Sequence, residues 1–449
     1  MTSIQLSHPN KTVKESGSSA IVVHKQDGSL EILGGHSMWH STFLQVDPYL
    51  QTGVNQVFTS GGAWAALKAD GSVITWGGNG IGGDSSEVKS SLAKDVVDIS
   101  STRRAFAALK KDGSVVAWGD VNGSYGDTYW RLDDSLKEGI TNIFSSSRSF
   151  MALKSDKTAI YFGRATISYD EEMPNSSNSN KIEIAVAGEN VKEIIPCVGA
   201  FALLHYDGSV SMFEPENGFA TQLFSRTKFD SVKEKLSSGV KKVYPSYNAF
   251  LAVKENGEVI SWGNIYSHEE YEGTEGLTDG NIKNVYGSKA SLTDQFVVLK
   301  NDGSVISFGG YQRRKIEYIP NSHYNWYKYK KDIYNRQPLD LSNVKTIVGT
   351  GSYYENNGGG AWSALTEDGQ VISWGDINVG GEQGNAASKL TSGVVDIVSN
   401  SGAFAALKSD GSVVTWGNKK EGGDSSSVAS SLSYGVKSIM SADNFFAAI

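Results

Sequence analysis

Among the seven histidines and the single cysteine of this chain, only His36 and His40 stand close enough in sequence to act together. Four residues apart, they would share one face of a helix and could ligate a metal. No carboxylate or cysteine joins them at a recognised metal spacing, so they read as a loop pair without catalytic meaning. His8, His24, His205, His268 and His323 are scattered and give no evidence for a composite site. Cys197, in IIPCVGAFALL, precedes an apolar run and reads as a buried structural thiol; a nucleophile would need a base from another loop. The glycines of TWGGNGIGGD are dense enough to suggest a phosphate loop. They lack the Gly-Lys-Ser/Thr ending and the helix that such a loop requires. Recurrent Asp-Gly-Ser turns lack the ligand series of a calcium loop. No catalytic residue, metal or cofactor is expected, and the chain reads as a non-enzyme.

A different chemistry is concentrated between Gly309 and Leu341, in GGYQRRKIEYIPNSHYNWYKYKKDIYNRQPLDL, followed by GTGSYYENNGGG. The candidate partner-binding residues are Tyr311, Arg313, Arg314, Tyr324, Trp326, Tyr327, Tyr329, Lys330, Tyr334 and Arg336, with Lys315, Lys328 and Lys331 among them. Tyrosine, tryptophan and arginine dominate interface hot spots, because they combine large apolar area with directed polar groups. The same mixture stacks on sugars or bases. Another protein is therefore the expected partner, and a glycan bound in lectin fashion is the alternative. Two acidic stretches, 165–183 and 265–276, read as solvated rim; they would alternatively oppose this basic insertion or meet a basic partner. The second carries Glu269, Glu270, Glu272 and Glu275.

The whole chain bears 41 basic against 49 acidic side chains, a formal charge of -8. That balance gives no general attraction to phosphate backbones, so nucleic acid is disfavoured. One cysteine allows no intrachain disulfide and leaves the redox compartment open. No apolar run approaches the roughly 20 residues needed to cross a bilayer. The opening MTSIQLSHPNKTVKES has no basic region followed by an apolar stretch, so the expected location is cytoplasmic or reached by a leaderless route.

The elements that must carry these residues are repeats. AWAALKADGSVITWG from Ala63, AFAALKKDGSVVAWG from Ala105 and AFAALKSDGSVVTWG from Ala403 are the clearest copies. Related copies begin at Ala249, Gln295 and Ala361, and weaker ones surround Asp27, Asp156 and Asp207. Each is an apolar run, a turn, and a Val-rich run ending on an aromatic residue. Asp-Gly between two such runs is a strong hairpin signal, because glycine supplies positive φ and the aspartate bonds to the backbone ahead of it. Asn256 replaces the aspartate in one copy, and Lys157 replaces the glycine in another. The recurrent aromatics Trp76, Trp118, Phe162, Phe213, Trp262, Phe308, Trp374 and Trp416 read as wedges between adjacent sheets.

A further element precedes most hairpins, as in VVDISST at 96 and VKKVYPS at 240, and its alternation predicts another short strand. The stretch between repeats, such as GGNGIGGDSSEVKSSL, has room for a fourth strand or a surface loop. A repeat of roughly 42 residues has room for the four short strands of one propeller blade. The interval is widest between the turns at Asp302 and Asp368, so 311–360 is expected to contain an inserted rim loop on a single domain spanning 1–449. The C-terminal 422–449 matches 82–109 and stops in a hairpin's first strand. Such a fragment would complete a blade begun at the N-terminus; an open solenoid with a capping half-repeat has similar sequence logic.

The Ala-Leu-x-x-Asp-Gly-x-Val-x-x-Trp-Gly pattern resembles the repeats of the regulator-of-chromosome-condensation family, over roughly residues 20–449. The resemblance implies an all-β fold, a ring-shaped β-propeller of short antiparallel blades. Seven blades are usual in that family, whereas the repeat count here points to about nine. It also implies partner contacts through loops on a ring face. Nucleotide exchange on a small GTPase, known in that family, resides in special loops that find no match here. The short, low-proline copies look like those of a bacterial member, and a scaffold or toxin-associated recognition component is the implied role.

Overall fold

The computed structural model describes residues 20–24, 30–34, 46, 48–120, 132–164, 182–214, 226–263, 281–288, 295–309, 311–318, 327–333, 337–339, 341–351, 360–442 and 444–449. The architecture is all-β, built from repeated small antiparallel sheets, with short helical segments at 48–50 and Arg226–Val232 and several 3-10 turns among the described residues. The chain divides into two compact units, Met1–Ser238 and Gly239–Ile449.

In the first unit a hairpin of Ala20–His24 with Leu30–Gly34 precedes four sheets. Each sheet consists of a lead strand, a middle strand and a closing strand, as in Val96–Ser101, Ala105–Lys110 and Val115–Gly119. The third gains a fourth strand, Ile182–Gly188, which pairs with Ala159–Arg164. The second unit repeats the plan from Val240–Pro245 onward and ends in the short pair Ile439–Ser441 and Phe446–Ala448. One of its sheets also has a fourth strand, Gln337–Leu339. All nine signature copies form hairpins, including the degenerate ones at Asp156 and Asp207.

The turn chemistry explains the hairpins. Asp112 Oδ1 accepts from the Ser114 amide at 2.9 Å and from its hydroxyl at 2.6 Å, while Gly113 sits at φ +80°. Asn256 accepts from the Glu258 amide in the same way. Lys157 takes the glycine position at φ 72°, a conformation that costs a residue with a Cβ about 1–2 kcal/mol. The Gly113 carbonyl also accepts from the Ile140 amide, which opens the next sheet, so the turn ties consecutive repeats together. A Cβ on Gly113 would lie 2.8 Å from the Gly139 nitrogen.

The core lies between sheets. Phe106 and Trp118 occupy directly paired positions on the middle and closing strands and stack at 5.3 Å. They pack with Ala63, Ala65 and Leu67 of the preceding sheet. Phe150 and Phe162 meet Ala105, Ala107 and Ala117 in the same manner, and Phe404 and Trp416 meet Ala361 and Leu365. Small residues on one face thus receive the rings of the next, as the wedge reading expects. The Trp118 indole further donates to the Gly82 carbonyl at 3.0 Å.

The lead strands depart from simple alternation. Val96 pairs with Lys110 and Asp98 with Leu109, so Val97 is skipped as a β-bulge. The same slip occurs at Asn55, Thr141, Lys192, Lys241, Lys283, Lys345 and Val395, all of them exposed. The glycine-rich stretch after Trp76 resolves into 3-10 turns at Asn79–Ile81 and Ser86–Val88, the loop alternative. Gly83 packs so closely on Gly77 that a Cβ would lie 2.6 Å from its carbonyl, which keeps this segment folded back instead of extended.

Candidate binding ribbon

The insertion contains two strands, Tyr311–Tyr318 and Tyr327–Ile333, which pair antiparallel with each other and, among the described residues, with no other strand. The ribbon lies in sequence between the closing strand Val305–Gly309 and the added strand Gln337–Leu339, where Ser307 pairs with Gln337. The sheet therefore holds both ends of the insertion. Aromatic residues favour extended backbone, which suits this tyrosine-rich segment to strands.

The register sorts the residues by face. Tyr311 stands opposite Ile333, Arg313 opposite Lys331 and Lys315 opposite Tyr329. After a one-residue slip between Lys315 and Glu317, Tyr318 stands opposite Tyr327 on that same face. The other face pairs Gln312 with Asp332, Arg314 with Lys330 and Glu317 with Lys328. Both carboxylates of the two strands fall on this second face. Of the sequence candidates, Tyr311, Arg313, Arg314, Tyr327, Tyr329 and Lys330 are brought onto the ribbon. Tyr324, Trp326, Tyr334 and Arg336 lie outside the described residues, as do 352–359, 265–276 and most of the acidic 165–183 stretch.

A second basic feature went unread in the sequence. Three successive lead strands of the second unit carry lysine at the bulge: Lys241, Lys283 and Lys345. The strand bearing Lys241 lies against that bearing Lys283. Lys242 follows Lys241 and sits over the Tyr244 ring at 4.7 Å. Lys345 acts on Asp396, whose carboxyl is nonetheless held above its ordinary range by burial. The readable signal was the Val-x-x-Val/Ile spacing, which places buried residues three apart and is incompatible with strict alternation.

Two of the groups that invited catalysis, His205 and Cys197, have structural partners. His205 Nδ1 lies 2.9 Å from the Glu189 carbonyl, in the turn leading into its sheet, and Nε2 lies 2.7 Å from the Ser211 hydroxyl of that sheet's closing strand. Cys197 is buried, and its thiol donates to the Ala200 carbonyl at 3.4 Å. His24 lies on the strand Ala20–His24, and the other histidines lie outside the described residues. Among the described residues no group of three or more His, Cys, Asp or Glu side chains is placed to hold a metal ion. No helix among them is long and apolar enough to cross a membrane. The turn aspartates Asp70, Asp112, Asp207, Asp302 and Asp410 are held below their ordinary range, first by the hydroxyl of the following serine.

No protein-family model matches the chain, and no curated protein matches it. Solved structures give weak likenesses. Prp20p from Saccharomyces cerevisiae, studied with its binding to Gsp1p and histones, is 19% identical over 75% of this chain and 74% of its own, at a TM-score of 0.32. Yeast RCC1 (Prp20) in complex with Kap60 is 18% identical over 78% and 73%, at 0.33. Human WBSCR16 is 17% identical over 47% of this chain, which spans 62% of that protein, at 0.29. At these TM-scores, none of the three assigns this chain a function.

Proposed function

We propose that this chain is a protein-binding scaffold whose repeats hold the 311–333 ribbon out as the contact element. The observation that carries this reading is the division of labour between the two. The repeat residues have folding roles: aspartates close turns, glycines admit neighbouring backbone, and aromatics wedge sheets together. The ribbon shares none of those roles and pairs with no sheet of the repeats among the described residues. Its tyrosines and arginines are the types enriched at protein interfaces. The repeats themselves close, on this proposal, into a single propeller of about nine blades, the C-terminal pair completing the blade opened by Ala20–Gly34.

Affinity capture tests the binding role. Intact chain is compared with chain in which 311–336 is replaced by a short turn, and with a Trp326→Ala/Tyr327→Ala variant, all checked for native thermal unfolding. A verified partner captured by the intact chain is expected to be lost from both variants. Capture unchanged by removal of the ribbon would refute the placement. Particle images down the ring axis count the blades; an open arc would refute closure.

A further inference from the structure

The way the ribbon's register sorts charge identifies the kind of partner, an inference that rests on the protein-binding reading above. On the first face, Arg313 stands directly opposite Lys331, with Lys315 one pair further on. No carboxylate of either strand shares that face. Like charges at opposed positions destabilise an antiparallel pair. Among the described residues the ribbon has no third strand, and a lone two-stranded ribbon is marginal in water in any case. Both penalties diminish when an anionic strand is laid against the ribbon. The tyrosines at Tyr311, Tyr318 and Tyr329 flank the cations at same-face positions and suit a polypeptide surface.

We propose that the Arg313–Lys331 face docks an extended acidic segment of a partner protein. Its carboxylates supply the missing counter-charges, and its backbone joins by strand addition a ribbon edge that pairs with no other strand among the described residues. A polypeptide is favoured over nucleic acid because the chain as a whole carries -8. A long polyphosphate would be repelled beyond the ribbon, whereas a short acidic segment feels mainly the local cations.

Fluorescence anisotropy of a labelled oligoglutamate peptide with the full-length chain at low salt tests this. Arg313→Glu puts a carboxylate opposite Lys331, and Arg314→Glu puts one opposite Lys330. Both changes relieve like-charge pairing and alter net charge equally, so neither loss of folding nor bulk charge separates them. Arg313→Glu is expected to weaken peptide binding by about tenfold or more, and Arg314→Glu by about threefold or less. Equal loss in both variants, no binding to the intact chain, or tighter binding of a single-stranded oligonucleotide would each overturn the proposal. Raised affinity after Glu269, Glu270, Glu272 and Glu275 are changed to Gln would identify the chain's own acidic stretch as the occupant, and also overturn it. If removal of 311–336 releases a verified partner but Arg313→Glu does not, the acidic assignment fails while the binding role stands. If removal releases nothing, the binding role itself fails.

Discussion

The amide of Ile140 donates to the carbonyl of Gly113 at 3.0 Å, so a hairpin turn in one repeat is the docking point for the first strand of the next. The same bond links Val96 to Gly71 and Val436 to Gly411. The Asp-Gly turn therefore sets the stacking of repeats as well as the reversal of the chain.

This dual role makes the glycine sensitive. Gly113→Ala should destabilise the fold by at least about 1–2 kcal/mol, from positive φ alone, before the contact with Gly139 is counted. Lys157→Gly, at the one turn that lacks glycine, should stabilise by up to about 1 kcal/mol. Urea unfolding checks both. A neutral Gly113→Ala would contradict the cost assigned to its positive φ and to the close approach of Gly139.

The aromatic wedge and the bulge make contrasting demands. Phe106 is fully buried against the preceding sheet, and its replacement by alanine should cost about 3–5 kcal/mol. The bulge position already accepts Asn55, Val97 and Thr141, so Lys241→Thr should change stability by no more than about 0.5 kcal/mol. Thermal melts of the two variants would separate a packing position from a surface one.

The turn aspartates give a pH signature. The folded-state pKa of Asp112 lies below its unfolded value, with the Ser114 hydroxyl the largest cause. Its stabilising effect is present above the unfolded pKa and is lost as pH falls through the folded one. Ser114→Ala should raise the Asp112 pKa toward the ordinary carboxylate range, read by NMR titration. The stability gap between Ser114→Ala and the native chain should close as pH drops below about 4. A gap that widens in acid would contradict the assignment.

How much was legible follows from the physics of each element. Asp-Gly between apolar runs is a local signal that needs no tertiary information; seven of the nine hairpins carry it, and those at Asp156-Lys157 and Asn256-Gly257 were readable from their flanking runs. The wedges were readable because Phe and Trp recur at fixed distance from the turn. The lead-strand bulge was not, since a slip in pairing belongs to two strands and leaves only the three-residue spacing of Val96 and Ile99 as a trace. The insertion was visible as composition but not as strands. Arg and Lys occupy both faces of the ribbon, and the tyrosines share their face with Arg313, Lys315 and Lys331, so the period-2 contrast of apolar and polar residues is blurred. Its division into a face without carboxylates and a face with Glu317 and Asp332 emerges only from the register.

Hydrogen–deuterium exchange of the intact chain, with and without a captured protein partner, separates binding by the ribbon from folding by the repeats. New protection is expected to be concentrated in 311–318 and 327–333, while the Asp-Gly hairpins keep their exchange rates. Protection confined to the hairpin turns or lead strands, with the ribbon unchanged, would contradict it.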